Sequence, residues 1–160
     1  MCVMARTMTT TVTNLGGLRF VGETPDGQRT MIDNEKVART GMSPMQLVLN
    51  AVAACAAMDV SVMLRKRKLP VHSYRIEVIG ERPEEHPSPF SRIVARHVFD
   101  VPGLEREMAE RFVDLATNKY CSVGASLNAT VDWEVELLDA TGASLGVTGP
   151  KVGAVVGAAE

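Results

Sequence analysis

No glycine-rich phosphate loop, no Cys-x-x-Cys pair and no internal repeat occurs in this sequence of 160 residues. Gly16-Gly17 does not follow the strand-to-helix pattern with phosphate spacing, which removes a nucleotide-binding loop from consideration. The three cysteines, Cys2, Cys55 and Cys121, form no Cys/His cluster with zinc spacing. Neither a metal site nor a structural disulfide is expected, and a redox pair stays open. An excess of one charge is missing too: 17 lysines and arginines against 19 aspartates and glutamates leave a formal net charge of −2. That balance offers no general attraction to nucleic acid or to an anionic membrane. Met1 to Thr11 has no apolar core of signal-peptide length, so the expectation is a cytoplasmic protein whose thiols are kept reduced.

What is present is one long apolar stretch, Ser43 to Leu69. Ser43 is a natural N-cap, and Pro44 suits the first helical position, where its missing N–H is not needed. Arg65, Lys66, Arg67 and Lys68 crowd the last turn, where cations complement the helix dipole, and Pro70 stops the helix. Between Leu47 and Met58 only Asn50 is polar, and a helix apolar all round is expected to be buried. Gln46, Asn50, Asp59 and Ser61 interrupt it too often for a membrane span. Cys55 sits near its middle.

The rest of the chain carries mostly β pattern. Met8 to Thr13, Leu18 to Val21 and Gln28 to Ile32 read as a three-stranded meander, turned by Gly16-Gly17 and by Thr24-Pro25-Asp26-Gly27. Asp33 to Met42 reads as a polar loop. Tyr74, Ile76 and Val78 alternate with Arg75 and Glu77, and Val131, Trp133 and Val135 alternate with Asp132, Glu134 and Glu136. Arg92 to Val101 is a further strand, and Leu104, Met108, Phe112 and Leu115 mark one face of an amphipathic helix. The expected organisation is a single α+β domain over residues 1–138, followed by a weakly ordered Gly/Ala/Val-rich tail over 139–160.

Chemistry points first to the thiols. A helix interior gives Cys55 no dipole assistance, and Asp59 one turn on disfavours a thiolate, so a reactive Cys55 needs a cation from elsewhere. A small core hydrophobe is the alternative role for a cysteine among alanines. Cys121 falls at a helix boundary, where thiols can be exposed and activated. His72, His86 and His97 lack a motif that would pair them with a cysteine, and Glu81 to Pro87 reads as a charged loop rather than an acid–base cluster.

Two stretches resemble the OsmC/Ohr family of osmotically induced and organic-hydroperoxide-resistance proteins. One is Ser43-Pro44-Met45-Gln46-Leu47, with Cys55 eleven residues beyond the proline and Ala57-Met58-Asp59-Val60 after it. The other is Lys119-Tyr120-Cys121-Ser122-Val123, with Glu81-Arg82, His86-Pro87 and Phe90 between them. The resemblance implies an intertwined homodimer whose antiparallel sheets wrap long buried central helices. It implies a thiol peroxidase for organic hydroperoxides, with Cys55 peroxidatic, Cys121 resolving, an external dithiol as reductant and no cofactor. Peroxidase members carry Glu where this chain has Met45, a carboxylate that holds an arginine beside the thiol. Arg19 resembles that arginine in one branch and Arg39 in another, and Arg19 is taken as the candidate. Met45 equally favours a non-catalytic dimer that binds an apolar or thiol-bearing small molecule in the same cleft.

Overall fold

The computed structural model describes residues 6–150, so Cys2 and residues 151–160 lie outside it. The chain is α+β and divides into two compact units, residues 1–48 and 49–160.

In the first unit, β1 (Thr11–Gly16), β2 (Arg19–Glu23) and β3 (Arg29–Asp33) form an antiparallel sheet in that order. Gly16 and Gly17 take φ of 110° and 55°, the positive values that the tight β1–β2 turn requires. Thr24 accepts from the Gly27 N–H at 3.0 Å and closes the second turn. The helix α1 (Pro44–Lys66) starts in this unit with a reciprocal cap. The Gln46 N–H donates to Ser43 Oγ at 3.3 Å, and the Ser43 N–H donates to Gln46 Oε1 at 3.0 Å.

In the second unit, α1 buries Val52, Ala56, Val60 and Leu64, one stripe at four-residue spacing. The expectation of a helix buried all round therefore fails within this chain: Met58 is 69% exposed and Val62 36%. An apolar surround without period names no preferred face, and the chain supplies packing for only one. By length and composition α1 could cross a bilayer, yet its buried stripe packs into a core with Phe99, Phe112, Trp133 and Val135. The helix ends before Pro70. Lys68 turns left-handed at φ 55°, its N–H donates to Arg65 O at 3.0 Å, and the Leu69 N–H donates to Leu64 O at 3.3 Å.

The sheet of this unit runs in the order β4-β5-β6-β7, from β4 (Ser73–Glu81), β5 (Arg92–Asp100), β6 (Thr130–Leu138) and β7 (Ser144–Thr148). Here the expectation of antiparallel sheets needs correction, because β5 and β6 are parallel. A parallel pair needs a crossover of a dozen or more residues. It is made by α2 (Arg106–Asp114), a π-helical segment (Leu115–Tyr120) and α3 (Ser122–Ala125). The weakly ordered tail is also corrected in part, since Ser144–Thr148 are the edge strand β7. Asp139 Oδ1 accepts from the Thr141 and Ala143 N–H groups at 2.8 and 3.0 Å, which sets the turn. Arg106 then donates to Leu145 O at 3.0 Å and Gly146 O at 3.1 Å.

His97 is fully buried on β5, with the Tyr74 hydroxyl 2.7 Å from its Nδ1 and no partner for its Nε2. Burial pushes its pKa down to about 4. Between that value and about 6.5 the unfolded chain binds the proton and the folded chain does not. Stability is therefore lost as pH falls through this window, by about 2–3 kcal/mol between pH 7 and 4.5. Urea unfolding midpoints at the two pH values read this loss, and His97→Gln should shrink it by a similar amount. An unchanged pH dependence in His97→Gln would show that carboxylates alone cause it.

Candidate active site

Cys55 and Cys121 are both free thiols, the first half-buried and the second buried. They belong to one unit and meet across it. Cys121 stands where the π-helical segment gives way to α3, in an extended conformation (φ −68°, ψ 95°). That kink aims its sulfur back at α1, where Sγ lies 3.9 Å from the Val52 carbonyl, one turn before Cys55. The Gly124 N–H donates to the same sulfur at 3.2 Å. Burial pushes the Cys121 thiol above its ordinary value; the Gly124 N–H pulls it down, and the hydrogen bond with Cys55 pushes it up again. Cys121 thus keeps its proton at neutral pH.

Arg19 lies in the other unit, where its guanidinium is held at two of its three nitrogens. Nε donates to Asp33 Oδ2 at 3.1 Å and Nη2 donates to Ala38 O at 3.0 Å. Arg39 Nε donates to Glu35 O at a long 3.4 Å. Asp33 is the residue that sequence reasoning missed, having been assigned to a polar loop. It is the last residue of β3, directly opposite Arg19 in register, and fully buried. It accepts from the Thr40 N–H at 2.8 Å, the Thr40 hydroxyl at 3.0 Å and the Glu35 N–H at 2.8 Å. The Thr40 N–H first, with the other donors and Arg19 adding to it, holds this carboxyl well below the usual range despite burial. Asp33 at the end of β3 is thus a carboxylate that holds Arg19 within the first unit. Opposite charges at paired positions of a short hairpin were the available signal.

The other candidates disperse. His72 Nδ1 lies 3.4 Å from Asp100, His97 is committed to Tyr74, and among the described residues no histidine bonds to either cysteine. The Glu81–Phe90 loop is held by its own contacts: Arg82 Nε donates to Ser88 Oγ at 3.1 Å, and the Arg82 guanidinium lies 5.9 Å over the Phe90 ring. Among the described residues no group of three or more His, Cys, Asp or Glu could hold a metal ion.

Comparison with known proteins finds relatives in sequence and in fold. Residues 34–136 match a family model described as OsmC-like protein. Protein YhfA of Escherichia coli is 34% identical over 116 residues, covering 72% of this chain and 86% of YhfA. A hypothetical protein of Aquifex aeolicus superposes with a TM-score of 0.67 at 28% identity, over 84% of this chain and 100% of the other. The organic hydroperoxide resistance protein OhrB of Bacillus subtilis shares the fold at a TM-score of 0.54 and 22% identity, over 81% and 97% of the two chains.

Proposed function

The chain belongs to the OsmC-like family, and on that premise we propose that it is a cysteine-based peroxidase that reduces organic hydroperoxides. The observation that carries this reading is the Cys121 sulfur lying 3.9 Å from the Val52 carbonyl on α1, one turn before Cys55, with burial keeping Cys121 protonated. In the first step the Cys55 thiolate attacks the hydroperoxide; an S–O bond forms, the O–O bond breaks, and an alcohol leaves after taking a proton. In the second, the Cys121 sulfur attacks the Cys55 sulfenic acid, forming the disulfide and releasing water. An external dithiol restores both thiols. Arg19, oriented by Asp33, is the cation proposed to favour the thiolate.

One equivalent of cumene hydroperoxide should consume two thiols per chain and lower the mass by about 2 Da, the loss of two hydrogens on disulfide closure. Peptide mapping should place the bond between Cys55 and Cys121, with Cys2 still alkylatable. A bond involving Cys2, or none, would count against the peroxidase. Met45 favours the second reading, a non-catalytic dimer that binds an apolar or thiol-bearing small molecule, and that reading stands if no thiol is consumed.

A second copy of the chain is the proposed cover for the outward face of α1. Met58 at 69% exposure, Val62 at 36% and the hairpin residues Val12, Leu15 and Leu18 at 58, 55 and 53% are costly to leave in water. Light scattering at micromolar concentration should give the mass of a dimer, and a monomer there overturns this assignment.

A further inference from the structure

Residues 60–76, between Asp59 and Glu77, contain no aspartate or glutamate but five cations: Arg65, Lys66, Arg67, Lys68 and Arg75. Arg75 is taken by Glu77. The four in a row are exposed. None of them enters an ion pair among the described residues, where Arg19, Arg29, Arg92 and Arg96 each meet a carboxylate. The helix dipole accounts for only part of the run. Arg65 and Lys66 stand in the last turn of α1, where they complement its negative end; Arg67 and Lys68 lie past it. There the backbone is fixed, with the Arg67 N–H donating to Met63 O at 3.1 Å and Lys68 turning left-handed. Beyond this bend Leu69 packs on the core, while Pro70 and Val71 are exposed, Val71 by 47%. The carboxylate of Asp100, whose residue pairs in register with Ser73, is held by His72 rather than by the run.

We propose that this bend is a docking surface for an anionic lipid bilayer, with Lys66, Arg67 and Lys68 against the headgroup phosphates and Val71 at the boundary with the acyl chains. The net charge of −2 over the whole chain does not oppose this. Salt screens charge over about 8 Å at physiological ionic strength, so a surface feels the charges nearest to it and not the total. Cations around an exposed apolar side chain match an interface that is anionic outside and apolar beneath. Nucleic acid fits less well, because the stretch 60–73 offers no Phe, Tyr or Trp on which a base could stack. Docking needs no hydroperoxide chemistry and is independent of the peroxidase reading.

Co-sedimentation of the full chain with vesicles tests the proposal. Phosphatidylcholine vesicles should carry down little protein. Vesicles that also contain phosphatidylglycerol should carry down most of it at low salt and release it as salt rises. Lys66→Gln combined with Arg67→Gln should weaken that binding roughly 25-fold, about fivefold for each cation at an anionic surface. Lys36→Gln combined with Lys119→Gln removes the same charge from other parts of the chain and should change the affinity by less than about twofold. Val71→Ser should weaken binding by a factor that salt does not alter. No retention on anionic vesicles at low salt overturns the proposal outright. Equal losses in the two double variants would reduce the effect to net charge and overturn the surface. An unchanged affinity in Val71→Ser would overturn the apolar contact. Retention of a DNA oligonucleotide without retention on anionic vesicles would replace the bilayer with nucleic acid. No hydroperoxide is present, so failure of the peroxidase reading leaves each of these outcomes as it stands.

Discussion

Replacing Cys55 with serine should abolish hydroperoxide consumption, a loss of roughly 10⁴-fold or more, the scale seen when a nucleophile is removed. The reaction needs a soft anion able to attack a peroxide oxygen, and a serine hydroxyl is neither ionised nor soft at neutral pH. Cys121 cannot take over, because it is only 5% exposed and burial pushes its thiol up. Cys121→Ser makes the complementary case. It should still reduce one equivalent of hydroperoxide, then stop, leaving Cys55 as a sulfenic acid open to further oxidation. Cumene hydroperoxide consumption reads both variants, with dithiothreitol as reductant for Cys55→Ser and with no added thiol for Cys121→Ser. Equal consumption by wild type and Cys55→Ser would end the enzyme reading and leave the small-molecule binder.

Asp33→Ala should destabilise the first unit by more than an exposed ion pair is worth, because the carboxylate is buried although Arg19 is partly exposed. The carboxylate is wholly buried and serves four donors: Arg19, the Glu35 N–H, and both the N–H and hydroxyl of Thr40. Deleting it strands the two backbone donors and frees the guanidinium. Asp33→Asn keeps the volume but points an NH₂ where an acceptor is needed, and should cost less. Because the Asp33 carboxyl is held below the usual range, chiefly by the Thr40 N–H, its contribution is complete above the unfolded carboxylate pKa and is lost only as pH falls through the lower native value. The acid loss assigned to His97 begins well above that. Urea unfolding at pH 7 reads the Asp33 effect, and a change under about 1 kcal/mol, the worth of an exposed pair, would mean that water reaches this carboxylate.

Local pattern was sufficient for much of this protein. Ser43 and Pro44 mark where α1 starts, because a cap acts within four residues. Alternation at Tyr74-Ile76-Val78 and Val131-Trp133-Val135 names strands and their inward faces, because a pleat repeats every two residues. Four features were settled by packing instead. The face that α1 buries has no periodic signal, since nearly every position on it is apolar; contact with Phe99, Phe112, Trp133 and Val135 selects it. The parallel pairing of β5 with β6 depends on how the 29-residue connection between them folds, from residue 101 to residue 129. β7 looked formless because Arg106, which holds its backbone, lies 39 residues upstream of Leu145. Asp33 looked like a loop residue until the hairpin register placed it opposite Arg19. The same holds for the thiols: resemblance named Cys55 and Cys121, but their contact arises only when the extended residue after the π-helical segment turns a sulfur back onto α1. Capping and periodicity act over a few bonds or one helical turn and can be read from neighbours. A partner tens of residues away contributes nothing until the backbone has closed the loop between them.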